Sequence, residues 1–544
     1  MKRKIFSVLF AVVLVLSFSL VTAVPAMALL PNTVWVDDDY NPSTPTWGTT
    51  HFDKIQDGID GVATGGTVHV AAGTYTENVD VNKMVTLIGA GASSTIVQGA
   101  ASDHVFHVMP GSNSVIIQGF TVEGATALGM AGIRIACCTG GTLVNNVVTG
   151  NRFGINLSNA SNVTVDSNEV YGNSDEGIYL ESNCTNCDIY DNIVHDNDVI
   201  HHGILLEYGS GTKVQGNEVY NEAFGIGLLA SDNNTILHNN IHDNGHGIYI
   251  DSGSVETSDN NTILGNNIVN NNGTEDSGIH LTPGAWGTVI HFNNIVGNSS
   301  TPGSYGVFNE YNVPADAENN WWGDTSGPGG SGPGTGDAVS NYVDYTPWLG
   351  APLELPAVHY ETLGPGYHEV DASYEADTVV TLTVTAEASE TDIYIGEYES
   401  QPFPREPFPD ASLGKFIDIC LSNPAAVRWP IYVEVRYTDG EVRDAGIAEH
   451  SLGLYYYESV DTFHRCSDTG VDTTNNIIWA NVTAEEAGYL VWTPFGGGGS
   501  PRAVGGTVYP VNKVSILMPW IGLAVALALA GVFGTRLVRR RVRG

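Results

Sequence analysis

Glu181, Glu207 and Asp251 each stand four residues after a glycine that opens a short apolar phrase: Gly177-Ile178, Gly203-Ile204 and Gly247-Ile248. A scaffold that superimposes those phrases puts the three carboxyls in one column. One residue before the same glycines stand Glu176, His202 and His246, and two residues after them stand Tyr179, Leu205 and Tyr249. The intervening Gly225 phrase contributes Phe224, Gly227 and Leu229, and the small Gly227 leaves space between two bulky neighbours. Asp196 and Asp243 follow from the turns just upstream. Carboxyl pairs can divide acid and base work at a glycosidic bond, at ~5 Å for retention and ~6.5–9.5 Å for inversion. With adjacent strands ~4.8 Å apart, Glu181 and Glu207 lie one step apart, and Glu207 and Asp251 two steps, or ~10 Å. The candidate catalytic residues are therefore Glu181, Glu207, His246 and Asp251, with Tyr179, Tyr249, His202, Asp196 and Asp243 as substrate-binding candidates. The same residues also describe a solvated face whose charges keep a repeat protein in solution.

What positions them is a repeat. Gly132, Gly154, Gly177, Gly203, Gly225, Gly247, Gly278 and Gly306 recur at steps of 22, 23, 26, 22, 22, 31 and 28 residues, each followed by Ile or Val. A second series, Asn146, Asn168, Asn192, Asn217, Asn239, Asn266 and Asn293, keeps step with it. Five residues after each comes another asparagine, except where Glu222 breaks the series. Each period offers short alternating β-runs between Gly, Asn, Ser and Asp turns. One such unit cannot bury its apolar side alone, whereas a stack shares one core, which is the logic of a parallel β-helix. Asparagine suits its turns, both for left-handed backbone geometry and for amide hydrogen bonds to the next coil.

Sixty acidic residues against 21 basic give a net charge of −39. Between residues 29 and 350 the basic residues are Lys54, Lys83, Arg134, Arg152 and Lys213, and neither arginine falls on the middle coils. Such a surface repels nucleic acid and other polyanions and favours cations or neutral ligands. Residues 1–28, with Lys2-Arg3-Lys4, an apolar run and Ala26-Met27-Ala28, read as a secretory signal. Residues 29–350 hold the β-helix, with an amphipathic run from Phe52 as its cap. Residues 351–495 lose the repeat and show alternating runs such as Val379–Val384 and Ile431–Val435, as in a β-sandwich. Residues 496–513 read as a glycine-rich linker, 514–535 as a single membrane span and 536–544 as a basic tail that stays cytoplasmic. This order places everything between signal and span outside the cell.

The repeats end at Asn319-Asn320-Trp321-Trp322-Gly323, a Gly/Pro stretch and Pro347-Trp348-Leu349. Together with the repeats, this ending resembles the NosD-like and carbohydrate-binding or sugar-hydrolase group of secreted right-handed β-helix proteins, over about Val34 to Leu349. The resemblance implies an all-β chain: a pectate-lyase-like right-handed solenoid, followed here by the sandwich and a single transmembrane helix. The segment from Phe52 to Gly89 also looks like the opening of pectin methylesterases, but the aspartates and Gly-Arg-Pro-Trp of that family are missing. Gly245-His246-Gly247 is similar to the polygalacturonase phrase, without that family's Asp-Asp and Arg-Ile-Lys motifs. The resemblance therefore implies a surface β-helix binding an extracellular glycan or surface protein. The competing reading is a hydrolase or lyase acting on neutral sugars, and a third is NosD-like copper handling.

Six cysteines in an exported chain point first to disulfides, with Cys420 and Cys466 able to pair in the sandwich. Cys137-Cys138 and Cys184-x-x-Cys187 fall at turns two coils apart, ~10 Å, too far to share a zinc ion. The histidines are dispersed, and Tyr171, His195, Tyr220 and His242 read as an outward packing ladder rather than a copper ligand set. Calcium at Asp37-Asp38-Asp39 is open, and no metal site is assigned.

Overall fold

The computed structural model describes residues 30–517 except 199, 254–256, 272, 274–276, 301–302, 347, 375, 387–390, 399–410, 414, 422–425, 459–461, 485, 487–492 and 500–512. Each repeat becomes one coil with three short strands, as in Thr142–Val144, Val147–Thr149 and Phe153–Ser158. Successive coils pair in parallel, so the strands gather into a first sheet of 14, a second of 10 and a third of 12, in a solenoid of about ten turns. Three-residue strands with one central apolar residue bury that residue and expose its flanks, the period-two alternation of a strand. Leu143, Val165, Ile189, Val214, Ile236, Ile263 and Ile290 stack this way in one register and are fully buried.

The asparagines divide labour with their neighbours. Asn146, Asn168, Asn192, Asn217, Asn239, Asn266, Asn293 and Asn320 form a buried ladder at the turn between first and second sheets. At Asn239, Nδ2 donates to Asn266 Oδ1 at 2.9 Å and to the Val214 carbonyl at 2.9 Å, while Oδ1 accepts from Asn217. The amide is satisfied without water, as a buried polar group must be. The expected left-handed backbone belongs to the residue before each ladder asparagine: Asn145, Ser167, Asp191, Gly216 and His238 all have positive φ. A second ladder between second and third sheets runs Asn151, Asn173, Asn197, Glu222, Asn244, Asn271, Asn298 and ends on Asp337.

The repeated glycine follows from that ladder. A Cβ at Gly177 would lie 2.7 Å from the Gly203 carbonyl, 2.8 Å from Val194 Cγ1 and 2.9 Å from Asn197 Nδ2, so no larger residue fits without moving the next coil. The helix Ile55–Gly61 closes one end of the stack, with Ile55 and Ile59 in the core and the Glu77 carboxylate accepting from Ile55 and Gln56 N–H. Trp322 is fully buried at the other end.

Beyond the solenoid lie two largely antiparallel sheets around a separate core that includes Val380, Ile393, Ile417, Ile431 and Ile478. Cys466, expected as a partner of Cys420, is a buried free thiol, and Cys137, Cys138, Cys184 and Cys187 are free as well. The expected signal lies outside the described residues, as do 518–544 with most of the expected membrane span and its basic tail. Two departures appear just before them. Gly496, read as the start of a linker, lies in the strand Thr493–Gly499, and Lys513–Leu517 is a strand beside Phe416–Leu421. No helix among the described residues is long and apolar enough to cross a membrane.

Candidate functional site

The outer face of the third sheet gathers most of the candidate residues. Its strands Ile178–Glu181, His202–Glu207, Phe224–Leu229, His246–Asp251 and Ser277–Leu281 pair in register, so Tyr179, Leu205, Gly227, Tyr249 and His280 form one column. Glu207, Leu229 and Asp251 form the next, and His202, Phe224 and His246 the one on the other side. In-register stacking forces these columns, because a one-residue slip would turn the buried Ile column out to solvent.

Aromatic rings run along this face as a nearly continuous strip. His202 stacks on Phe224 at 4.7 Å and Phe224 on His246 at 5.1 Å. The strip crosses through Tyr249, 5.1 Å from Phe224, to His280 at 5.0 Å, Phe308 at 4.9 Å and Tyr305 at a further 5.0 Å. Four coil steps of ~4.8 Å make it ~19 Å long. The gap expected over Gly227 is filled: a Cβ there would meet His202 Cδ2 at 2.3 Å, so glycine is what lets the His202 ring lie flat. Ser277 N–H donates to His246 Nδ1 at 3.2 Å, and burial beside His280 and His202 pushes the His246 imidazole down to about 3. His246 is neutral at ordinary pH and serves as an aromatic surface.

The carboxylates already hold internal partners. The Tyr179 hydroxyl donates to Glu207, and burial together with that bond raises the Tyr179 pKa well above the usual phenol range. Thr282 Oγ1 donates to Asp251 Oδ1 at 2.8 Å. Glu181 is paired with Arg134 Nη1 at 3.1 Å. Both arginines, set apart from the middle coils by sequence position, in fact reach them, and Arg152 pairs with Asp175. A long guanidinium stem spans to the following coil and beyond, a distance that register arithmetic omits. The signal available in the sequence was scarcity: two arginines in so acidic a surface must find carboxylates.

Asp175, also unnoticed, joins Glu176 and His201 in a cluster whose ligand atoms lie within 4.8 Å of one another. His201 Nε2 is 3.0 Å from Asp175 and its Nδ1 3.2 Å from Asp198. Burial and a hydrogen bond with Glu176 push Asp175 up. Glu176, which burial alone would raise, is held below its ordinary value by His202 and Asp175.

Asp196 and Asp243 do not belong with this face. They are the left-handed turn residues before Asn197 and Asn244, and they bond His195 Nδ1 and His242 Nδ1, both at 2.8 Å, on the second sheet. There Tyr171, His195, Tyr220 and His242 stack at 5.1, 4.8 and 5.1 Å with planes within 8°. This is the outward packing ladder read from the sequence.

Residues 97–257 match the family model described as periplasmic copper-binding protein (NosD), and residues 201–321 that of the right handed beta helix region. A stretch of 99 residues is 36% identical to a cell surface glycoprotein of Methanothermus fervidus, covering 18% of this chain and only 16% of that protein. Among solved structures, the A-module of a mannuronan C-5 epimerase from Azotobacter vinelandii aligns over 54% of this chain and 94% of its own, at 18% identity and a TM-score of 0.33. A DFA-IIIase from Arthrobacter chlorophenolicus without its lid aligns over 58% and 91%, at 14% identity and a TM-score of 0.39.

A copper centre built of imidazole and thioether ligands does not fit the described residues of this face. His202 and His246 sandwich Phe224 instead of converging, and His246 Nδ1 accepts a backbone N–H. The Asp175, Glu176 and His201 cluster offers two hard oxygens to one imidazole and is occupied by the Arg152 cation. In repeat, coil and closing segment, the chain resembles the right-handed parallel β-helix proteins of the NosD-like group and has a cell-surface glycoprotein as a homologue.

Proposed function

We propose that the protein is a cell-surface β-helix that binds an extracellular glycan along the outer face of its third sheet, displayed on a sandwich stalk. The observation that carries this reading is the aromatic strip from His202 to Tyr305, about 19 Å of rings on a rigid, register-locked surface. The outward parts of these rings, with acceptors beside them, suit sugar rings, which present C–H surfaces and hydroxyl donors together. The acceptors are Glu207, Asp251 and Glu310, and the face carries no unpaired lysine or arginine among the described residues. That electrostatic character favours neutral glycans over uronates. The hydrolase reading rests on Glu181 and Glu207 being neighbours, but each is engaged by an internal partner, Arg134 and Tyr179.

The test is a glycan array followed by calorimetric titration of the whole protein with the best neutral oligosaccharide. Tyr249→Ala is expected to weaken binding about tenfold, the loss of ~1.4 kcal/mol of stacking. Unchanged affinity would remove this face from consideration. Release of reducing ends that disappears in Glu207→Gln would replace binding with hydrolysis.

A further inference from the structure

The turn that leads from the third sheet back to the first is short through most of the stack, five residues between Ser158 and Thr164, between Glu207 and Lys213 and between Leu229 and Thr235. Between Asp251 and Thr262 it holds ten, and from Thr282, the matching position four after Gly278, to Val289 it holds six. Gly287, at positive φ, keeps the place that Asn260, Asn233 and Gly211 hold in earlier coils, so the extra residue falls before Trp286, within Pro283-Gly284-Ala285. Trp286 takes the place that Asp259, Asp232 and Ser210 hold in earlier coils, its carbonyl accepting from Asn260 N–H at 2.7 Å, yet its ring is 46% exposed. A half-exposed indole where the other coils carry short polar residues forgoes part of the burial open to it, which points to a use outside the fold.

Opposite it, the turn after Asn309 carries Tyr311, whose ring centroid is 5.2 Å from that of Trp286, and the exposed Val313. Both walls are fixed before any ligand arrives. Asn309 Oδ1 accepts from Tyr311 N–H at 3.0 Å, Asn309 Nδ2 donates to the Val313 carbonyl at 2.9 Å, and Trp286 N–H donates to Asp259 at 3.3 Å. The two turns enclose a cavity of about 260 Å³, with Thr282 and Asp316 among its polar lining residues. It adjoins the carboxylate column through the Thr282 bond to Asp251.

We infer that this cavity is a subsite for a single neutral pyranose, which rests against the contacting rings of Trp286 and Tyr311. The volume falls below the ~300–1,000 Å³ of sites for drug-sized ligands, so it admits one ring rather than a chain. Apolar walls meet the C–H face of a sugar, and the Asp316 carboxylate accepts hydroxyl protons. No cation lines the cavity to hold a carboxylated sugar. The assignment rests on the glycan reading of the neighbouring face for its ligand class, yet its aromatic residues, Trp286 and Tyr311, are not part of the strip.

The experiment titrates the whole protein with methyl β-glucoside, methyl β-galactoside and glucuronate, read by saturation-transfer NMR. Wild type, Trp286→Ala, Tyr311→Ala and Tyr249→Ala are compared, with circular dichroism as a check on fold. Saturable binding of a neutral glycoside is expected. It should weaken at least tenfold in Trp286→Ala and in Tyr311→Ala, and be absent for glucuronate. No saturable glycoside binding, or binding indifferent to both pocket variants, overturns the subsite. Oligosaccharide binding that still falls in Tyr249→Ala would then leave the sheet-face reading standing on its own.

Discussion

Glu222 takes an asparagine's place in the second ladder and can keep it only as a neutral acid. Its Oε1 accepts from Asn197 Nδ2 at 2.7 Å, and its Oε2 is buried without a partner. An amide there would carry N–H groups toward the neighbouring coils, as Asn244 Nδ2 does to the Val219 carbonyl. Burial pushes the Glu222 carboxyl up to about 8. An acid raised in the folded state favours folding while protonated in both states, and stability falls as pH rises from the ordinary carboxyl range through about 8. E222Q restores the amide. It is expected to raise stability by ~1–3 kcal/mol at pH 8 and to flatten the decline seen between acid and neutral pH in urea titrations. The sequence shows Glu222 as the break in its series, and it also fixes the columns of Glu207, His246 and Asp251, because register alone determines those. It does not show Arg134 reaching Glu181, since the contact depends on the rotamer of a long side chain, nor that Asp196 and Asp243 turn toward the second sheet.

The ladders and the glycine phrase act at the scale of the element. Each asparagine serves two coils, so its loss leaves unpaired groups on both sides. Asn239→Ala strips the acceptor from Asn217 N–H and Nδ2 and the donor from the Val214 carbonyl. A loss of more than ~3 kcal/mol in denaturant titration is expected, since each orphaned buried group costs ~1–3 kcal/mol. The strands, the two caps and the runs of the second region were legible because period and apolar spacing dictate them. The placement of left-handed backbone was only half legible. Asparagine satisfies both demands by type, and only the structure separates the turn residue, Asn145 or Ser167, from the ladder residue after it.

For the whole molecule, one solenoid core and one antiparallel core share a chain of net charge −39. Repulsion among so many carboxylates opposes compactness and is screened by salt. The melting temperature is expected to rise by several degrees between about 0.05 M and 0.5 M sodium chloride, with Debye lengths falling from roughly 14 to 4 Å. A flat response in calorimetry would mean that the carboxylates are already compensated by their histidine, arginine and backbone partners. The glycine run before the expected span misled because composition reports chain stiffness, whereas Thr493–Gly499 is held by partners from Gly453–Glu458 and Ala411–Ser412. Composition cannot see those partners.

Asp337 has a consequence for how the stack ends. Each ladder asparagine gives one amide hydrogen back to a carbonyl of the coil before and passes the other, with its backbone N–H, forward to the next, so another asparagine at the end of the row would hold out a hydrogen to whatever came next. Asp337 receives from Asn298 N–H and Nδ2 and from Ser299 N–H and Oγ, and an ionised carboxylate has no hydrogen to pass on. The row is thereby given a terminus, and a second molecule finds no donor there on which to continue the helix into a fibre.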